Sequence, residues 1–372
     1  METQQFLAEF GHIANAPGGV GQLRDLILSL AFTGSLCERS QESIEELLDY
    51  LDRQRRATNI ETRKQRLARN AADVDRSNGP HAIPDNWHWI SLSAVGHTWG
   101  QKRPLDDFYY IDVSSIDNRS GLLSDRIALV SATAAPSRAR KVVKTGTLVY
   151  STVRPYLLNI AIIDRTFDLE PIASTAFAVI HPWKGVEARF IYFYLRSPHF
   201  VKYVESVQIG MAYPAISDEK FYSGVLPLPP TEEQARIVAK VDELMALCDE
   251  LEQQQHDRRK LQNALRHSTL QAIASAQSIR RLEASWKRLD SGFNSLFGEQ
   301  EDVRKLRDVL CDLAIRGITS PTSKMGHDAN LDDTVTRPLA HGWEWKPLSN
   351  LSEYITSLNN SSGPNSRLAG ET

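Results

Sequence analysis

Residues 23–34 read Leu-Arg-Asp-Leu-Ile-Leu-Ser-Leu-Ala-Phe-Thr-Gly, with apolar side chains at helical spacing and a glycine where the pattern stops. This predicts an amphipathic helix closed by a C-cap at Gly34. A second helical stretch is expected over 41–69, with a basic end made of Arg53, Arg55, Arg56, Arg63, Lys64, Arg66 and Arg69. From about 81 to 228 the pattern changes to short β-prone runs at 109–113, 147–150, 160–163 and 176–180, punctuated by turn residues such as Gly146 and Pro182. One helix is predicted among them, around 187–205, from Phe190, Tyr194, Leu195 and Val201. The run Leu226-Pro227-Leu228-Pro229-Pro230 should continue neither helix nor sheet ladder. Thr231 then offers an N-cap, Glu232 and Glu233 suit a first helical turn, and Gln234 completes a capping box. Ile237, Val241, Leu244, Cys248 and Leu251 follow at heptad spacing, and Leu261 and Leu265 extend the stripe in a weaker register.

The chain echoes itself. Residues 306–317, Leu-Arg-Asp-Val-Leu-Cys-Asp-Leu-Ala-Ile-Arg-Gly, match the first helix at six of twelve positions, and Trp87-His-Trp89-Ile-Ser-Leu-Ser returns as Trp343-Glu-Trp345-Lys-Pro-Leu-Ser. Two echoes in the same order indicate a duplicated unit. The expected fold class is α+β: a mixed α/β domain flanked by long coiled-coil-forming helices, then the start of a second copy. The expected boundaries are a helical region at 1–80, the mixed domain at 81–228, a helical spacer at 229–325 and the opening of a second mixed domain at 338–372.

Composition narrows the function classes. Apolar residues make up 41% and charged residues 24%, the balance of an ordinary globular chain. No apolar run reaches the length of a membrane span, and the N-terminus lacks a secretory pattern. Cys37, Cys248 and Cys311 lie far apart and read as reduced, buried thiols of a cytoplasmic protein. There is no phosphate-binding Gly-x-x-x-x-Gly-Lys-Ser/Thr loop, no dinucleotide or methyl-donor loop, and no helical pair of histidines for a metal. The expectation is a chain that binds rather than catalyses, with no metal and no cofactor of its own.

The net charge of −3 conceals a local excess. Between Asp125 and Asp164 there is no Asp or Glu, yet Arg126, Arg138, Arg140, Lys141, Lys144 and Arg154 all fall there. Two readings are open. One is a basic loop paired with Asp106, Asp107, Asp112 and Asp117. The other is a surface for double-stranded DNA, in which Lys and Arg neutralise phosphates and one or two side chains reach base edges. Arg154-Pro155-Tyr156 suits the second, because proline stiffens the loop that aims an arginine able to read guanine. The candidate DNA contacts are Arg138, Arg140, Lys141, Lys144, Ser151, Arg154 and Tyr156, with Met211 and Tyr213 from Gly210-Met-Ala-Tyr-Pro214, a segment that could equally be only a turn. The basic end of 41–69 is either a solvated helix face or an arm that touches phosphates or a subunit.

One stretch resembles a known family. Leu226-Pro-Leu-Pro-Pro-Thr-Glu-Glu-Gln234, followed by Arg236-Ile-Val-Ala-Lys-Val-Asp-Glu-Leu-Met-Ala-Leu-Cys-Asp249, resembles the start of the central helical region of type I restriction-modification specificity subunits. The Leu-Arg-Asp helix, the Trp-x-Trp entry, Tyr110-Ile-Asp112 and Gly146-Thr-Leu-Val-Tyr-Ser151 look like the same family. The resemblance implies a non-catalytic subunit with two target recognition domains held apart by helical spacers, each reading half of a split DNA sequence. It also implies adenine methyltransferase subunits docked on the spacers and carrying S-adenosylmethionine, joined by motor-nuclease subunits. The departure is the second recognition domain, which is expected to be truncated at Thr372. Two copies are then expected to pair through Ile237, Val241, Leu244, Cys248, Leu251, Leu261 and Leu265. The alternative is a helical scaffold that docks partners and no longer reads DNA.

Overall fold

In β-strands that run Leu148-Val149-Tyr150 and Phe177-Ala178-Val179-Ile180, successive side chains point to opposite faces, so uninterrupted apolar runs require cover on both sides. The computed structural model describes residues 16, 18–40, 42–57, 79–118, 120–210, 212–276, 279–297 and 300–315, and supplies that cover. Strands β1 (His88–Ser91), β2 (Gly96–His97), β3 (Phe108–Ile111), β4 (Ile116–Asp117), β5 (Leu122–Leu123), β6 (Ala128–Val130), β7 (Ala139–Val142), β8 (Leu148–Ser151), β9 (Ile160–Ile162), β10 (Pro171–Ser174), β11 (Phe177–Pro182) and β12 (Val225–Leu228) form two four-stranded sheets, ordered β6-β3-β10-β7 and β2-β11-β8-β9, and two two-stranded ribbons, β1-β12 and β4-β5. Leu148, Tyr150, Ile160, Ala178 and Ile180 enter the helical core. Val149, Ala161, Phe177 and Val179 enter a second core with Ile111 and Ala173 of the other sheet. The β2-β11-β8-β9 sheet is therefore a middle layer, and the class is α+β.

The helical core is built from α1 (Gly19–Phe32), α2 (Ile44–Ala57), α3 (Ala188–Arg196), α4 (Pro198–Val207), α5 (Asp218–Ser223) and the start of α6 (Thr231–Ala274). The α1 end follows the sequence: Gly34 has φ 71° and the Ser35 N–H donates to the Leu30 carbonyl at 2.9 Å, a glycine-closed helix end. The helix expected over 187–205 is two helices. Pro198 cannot continue the first, and Ser197 caps the second by accepting from the Phe200 N–H. The helix expected over 41–69 is described as α2 only, and residues 58–78 lie outside the described set.

The proline run needs correction in two respects. Leu226-Pro227-Leu228 does join a ladder, as β12 opposite β1, with Pro227 facing Trp89. A strand paired on one side can place a proline with no lost bond. Thr231 and Gln234 do not form a capping box. The Gln234 N–H already donates to the Pro230 carbonyl, so the helix is under way. Both side chains instead reach the turn before α3: Thr231 Oγ1 and Gln234 Nε2 donate to the Gly185 carbonyl, and Gln234 Oε1 accepts from the Glu187 N–H. Glu233 is buried and accepts from Trp87 Nε1 (3.0 Å), Asn86 Nδ2 (2.9 Å) and the Ser40 N–H (3.1 Å).

The chain divides into two compact units, Met1–Gln253 and Gln254–Thr372. In the first, α1, α2 and the start of α6 share one core with the mixed domain, so the boundaries drawn at 80 and 229 do not separate cores. Ile237, Val241 and Cys248 are buried there beside Leu23 and Ile27, with Leu244 and Leu251 packed at the edge. Arg24 adds ion pairs to Asp249 (2.5 Å) and Glu252 (2.8 Å). These positions are covered by the chain's own first helix, so a second copy could not use them without opening this core. Leu261 and Leu265 are exposed. In the second unit the end of α6 packs with α7 (Ile279–Leu296) and α8 (Gln300–Ile315) through Leu270, Ile273, Leu289, Leu296, Leu306 and Leu313. Buried Arg266 donates to the Leu296 carbonyl at 3.0 Å and pairs with Asp302 at 2.7 Å. Residues 306–315 of the helix echo lie in α8, whereas its closing Gly317, the Trp343–Ser349 echo and the rest of 338–372 lie outside the described residues.

Glu233→Ala leaves three donors around a buried site without their acceptor. We expect it to lower stability by roughly 3 kcal/mol, with Glu233→Gln intermediate, read as a fall in the urea unfolding midpoint of the full chain. Equal midpoints for wild type and Glu233→Ala would remove the carboxylate from its structural role.

Candidate nucleic-acid interface

Strand register decides which of the sequence-adjacent cations meet. β11 runs antiparallel to β8 with Phe177 opposite Ser151 and Ile180 opposite Leu148. β10 runs antiparallel to β7 with Ser174 opposite Ala139. The Thr175-Ala176 turn joins the two sheets, bringing the start of β7 and the end of β8 to one end of the domain. There the Thr175 N–H donates to the Arg138 carbonyl, and the Thr152 N–H and hydroxyl donate to the Ala176 carbonyl, all at 2.8 Å. The segment after α4 docks alongside: the Ile216 N–H donates to Thr152, the Arg154 N–H donates to Pro214, and Ile209 and Ala215 exchange backbone bonds.

Arg154 projects from this end. It has φ 47°, and Leu158, across a 3₁₀ turn at Pro155–Leu157, has φ 51°. Left-handed backbone at a non-glycine residue costs roughly 1–2 kcal/mol, so neighbours must hold it. Asn118 Nδ2 donates to the Leu157 carbonyl at 3.2 Å, and Arg196 Nη1 donates to the Asn118 carbonyl at 3.2 Å and to Leu158 at 3.5 Å. The Arg154 guanidinium lies 5.2 Å from the Tyr213 ring centroid, a cation–π contact. Gly210 has φ 98°, and a Cβ there would come within 2.8 Å of the Tyr213 carbonyl, so the loop carrying Tyr213 requires its glycine. Tyr156 and Arg138 are exposed at the same end. Neither supporting segment, 126–163 or 206–217, contains an Asp or Glu. An exposed guanidinium held on a ring, among segments without carboxylates, is built to meet an anion or a planar acceptor edge.

Other expected contacts are placed elsewhere. Lys141 is 6% exposed, donates to the Phe177 carbonyl and pairs with Asp218 at 3.0 Å, which ties β7 to β11 and α5 and keeps it from a phosphate. Ser151 is buried, its hydroxyl donating to the Val153 carbonyl at 2.8 Å. Arg140 is half-buried and bonds to the Ala139 carbonyl. Lys144 sits before the opposite end of β8, its ammonium 3.8 Å from the Trp99 centroid. Around it gather His97, His181 and Trp183, and Thr147 Oγ1 bonds to His181 Nδ1 at 3.0 Å. Burial first, then the neighbouring His97 and Lys144, push the His181 imidazole down to about 4; burial also lowers His97. Asp112 and Asp117, suggested as partners for the basic run, accept from Ser114 and Ser120. Met211 lies outside the described residues. Sequence reading missed Asn118, Arg196 and Asp218, which come from other parts of the chain and carry no local pattern. Among the described residues no group of three or more His, Cys, Asp or Glu could hold a metal ion, and no helix is long and apolar enough to cross a membrane.

Residues 139–258 match the family described as Type I restriction modification DNA specificity domain. That span runs from β7 through the Arg154 turn and the Tyr213 loop into α6. Over this span the chain carries a type I restriction-modification DNA specificity domain. It is 25% identical over 321 residues to the specificity subunit of type I restriction enzyme EcoAI from Escherichia coli, covering 82% of this chain and 52% of that protein. It is 24% identical over 308 residues to the EcoEI specificity subunit of the same organism, covering 80% and 51%. The chain thus spans about half the length of these curated relatives. The crystal structure of the HsdS subunit from Thermoanaerobacter tengcongensis aligns at 35% identity with a TM-score of 0.46, over 52% of this chain and 51% of that one.

Two predictions separate structural groups of this domain from its exposed ones. Removing one member of a buried ion pair costs about 3–5 kcal/mol, so Lys141→Ala should lower the unfolding midpoint markedly, whereas Arg154→Ala should not. Similar midpoints for both would return Lys141 to the surface. His181 has a folded-state value below the ordinary 6.5, so the unfolded chain binds the extra proton first as pH falls. The stability this site contributes is present above 6.5 and is lost as pH falls toward 4. Replacing both His97 and His181 with Gln should flatten the melting temperature between pH 7 and 4.5; an unchanged slope would exclude the pair as its source.

Proposed function

We propose that this chain reads one half of a bipartite double-stranded DNA target for a type I restriction-modification complex. The observation that carries the reading is the Arg154 guanidinium, stacked on Tyr213 and presented from a braced turn at one end of the two sheets. A guanidinium reads guanine O6 and N7 bidentately in the major groove. Arg138, exposed at the same end, is placed to neutralise a phosphate. The chain's part is recognition, and methyl transfer belongs to adenine methyltransferase subunits that carry S-adenosylmethionine and dock on the helical spacer; motor-nuclease subunits would join them for cleavage. The exposed Leu261 and Leu265 belong to that spacer. Such a complex works in the cytoplasm, which keeps thiols reduced; of the three cysteines expected to be buried, Cys248 is, Cys37 is half-buried and Cys311 is exposed.

Mapping methylated adenines in cells that carry this chain with its methyltransferase gives the motif. Replacing residues 81–228 by the equivalent domain of a relative should change one half of that motif and leave assembly intact. Arg154→Ala should relax one base position by roughly 1–3 kcal/mol. Arg138→Ala should weaken all sequences alike and flatten the salt dependence, and Lys144→Ala, at the other end of β8, should do neither. A motif indifferent to both the domain swap and Arg154→Ala would reject the reading, and assembly that persists without any sequence preference would support a scaffold.

A further inference from the structure

Beside Arg154 the same end of the domain exposes apolar side chains that a folded core would normally take in. Ile209 is 77% and Tyr213 70% exposed, and Tyr156, Leu157 and Val153 are exposed with them. They stand on adjoining backbone, since Val153 bridges Ala215, Ala215 bridges Ile209, and Arg154 bonds to Pro214. A contiguous apolar patch marks a contact surface more strongly than scattered exposed residues do. Leu105 shows the contrast: it is exposed to 83%, but two carboxylates, Asp106 and Asp107, follow it directly in the chain.

What covers the patch follows from its charge. A guanidinium lies within it, and the segments that build it lack carboxylates from 126 to 163 and from 206 to 217. Such a surface suits a polyanion that also offers apolar groups. Duplex DNA offers one kind in the major groove, the C5-methyl of thymine, which the minor groove lacks. Bases follow one another at about 3.4 Å along a strand, so a side chain next to a guanidinium on guanine meets the edge of a neighbouring base. The glycine-dependent loop holds Ile209 and Tyr213 close to Arg154 through fixed backbone bonds, so the methyl contact and the guanidinium contact would be read in one register.

Resting on the DNA-reading proposal, we infer that Ile209, on the loop that also carries Tyr213, is a specificity-determining contact for 5-methylpyrimidine edges, so that thymine adjoins the base read by Arg154. The test selects duplexes from a random pool with the full chain, then replaces each thymine of the enriched sequence by deoxyuridine, which removes only the methyl. Burying one methyl is worth ~0.8 kcal/mol, about fourfold in affinity. We expect a loss of that size at one or two thymines, within two bases of the position relaxed by Arg154→Ala. Ile209→Ala should bind the thymine duplex about as weakly as wild type binds the deoxyuridine duplex, and should no longer distinguish the two. Leu105→Ala should keep the discrimination. An enriched sequence without thymine beside the Arg154 position, or equal affinities for all deoxyuridine duplexes, overturns the inference while DNA reading stands. Failure to enrich any sequence rejects DNA reading itself. If Ile209→Ala keeps the full discrimination and instead releases a copurifying methyltransferase, the patch is a protein-docking surface and the inference is wrong.

Discussion

A buried carboxylate sets the geometry of the first unit. Glu233 lies in the first turn of α6 and accepts from Trp87, Asn86 and Ser40, three points on the segment between α1 and β1. Next to it, Gln234 bonds to Gly185, Glu187 and Pro229, on the turn before α3 and at the end of β12. Apolar packing is tolerant of sliding, whereas an acceptor and donors removed from water must meet in one arrangement or leave groups unsatisfied. Two adjacent side chains thus fix the long helix to the entry strand and to the helical face of the sheet. The proline run before them has a matching part. Pro227 can sit in β12 because that strand has a partner on one side, and Pro230 supplies the carbonyl that starts the helix.

From this junction the geometry runs through the middle sheet to the far end of the domain. Because β8 and β11 are covered on both faces, their side chains are committed to packing and their loops are left to present anything else. The two ends are used differently. One collects His97, Trp99, Lys144, His181 and Trp183 in a half-buried aromatic cluster. The other carries Arg138, Arg154 and the Tyr213 loop. A stretch continuous in sequence is therefore divided in space, and its cations do not act as one surface.

This division explains what could be read from the chain and what could not. The apolar runs predicted β8, β9 and β11 because strands buried on both faces leave uninterrupted hydrophobic text, and β3, part-exposed at Tyr109 and Tyr110, was legible from its aromatic and β-branched residues. Gly34 was legible as a helix end because the left-handed position needs it. Arg154-Pro155-Tyr156 was legible as a stiffened turn, since proline acts locally. Lys141 was not: its partner Asp218 is 77 residues away, and nothing nearby distinguishes a buried ammonium from a free one. The same holds for Asn118 and Arg196, whose role depends on a turn 39 and 38 residues from them. Thr231 and Gln234 fit the text of a capping box, but their side chains found acceptors and donors on another element. The split at Pro198 was open to prediction, because the proline and the Ser197 cap stand in the sequence.

The strain at Arg154 bears on how the proposed site would discriminate. Glycine would relieve the left-handed backbone at this position, but it would remove the guanidinium, and lysine would keep the charge while losing the planar fork that matches a base edge. The turn therefore holds a residue that its backbone disfavours. Asn118 and Arg196 fasten its far side, Pro155 fixes the next φ, and Tyr213 takes up the guanidinium. The backbone contacts exist before any ligand arrives and the ring contact favours one placement of the guanidinium, so less freedom has to be lost on binding than for an arginine on an open loop. A flexible arginine can turn away from a wrong base at small cost. On the proposed reading, one restrained by backbone, ring and brace turns away at greater cost, so an edge that fails to match leaves its donors unpaired, and the penalty for a mismatch grows with the rigidity of the mount.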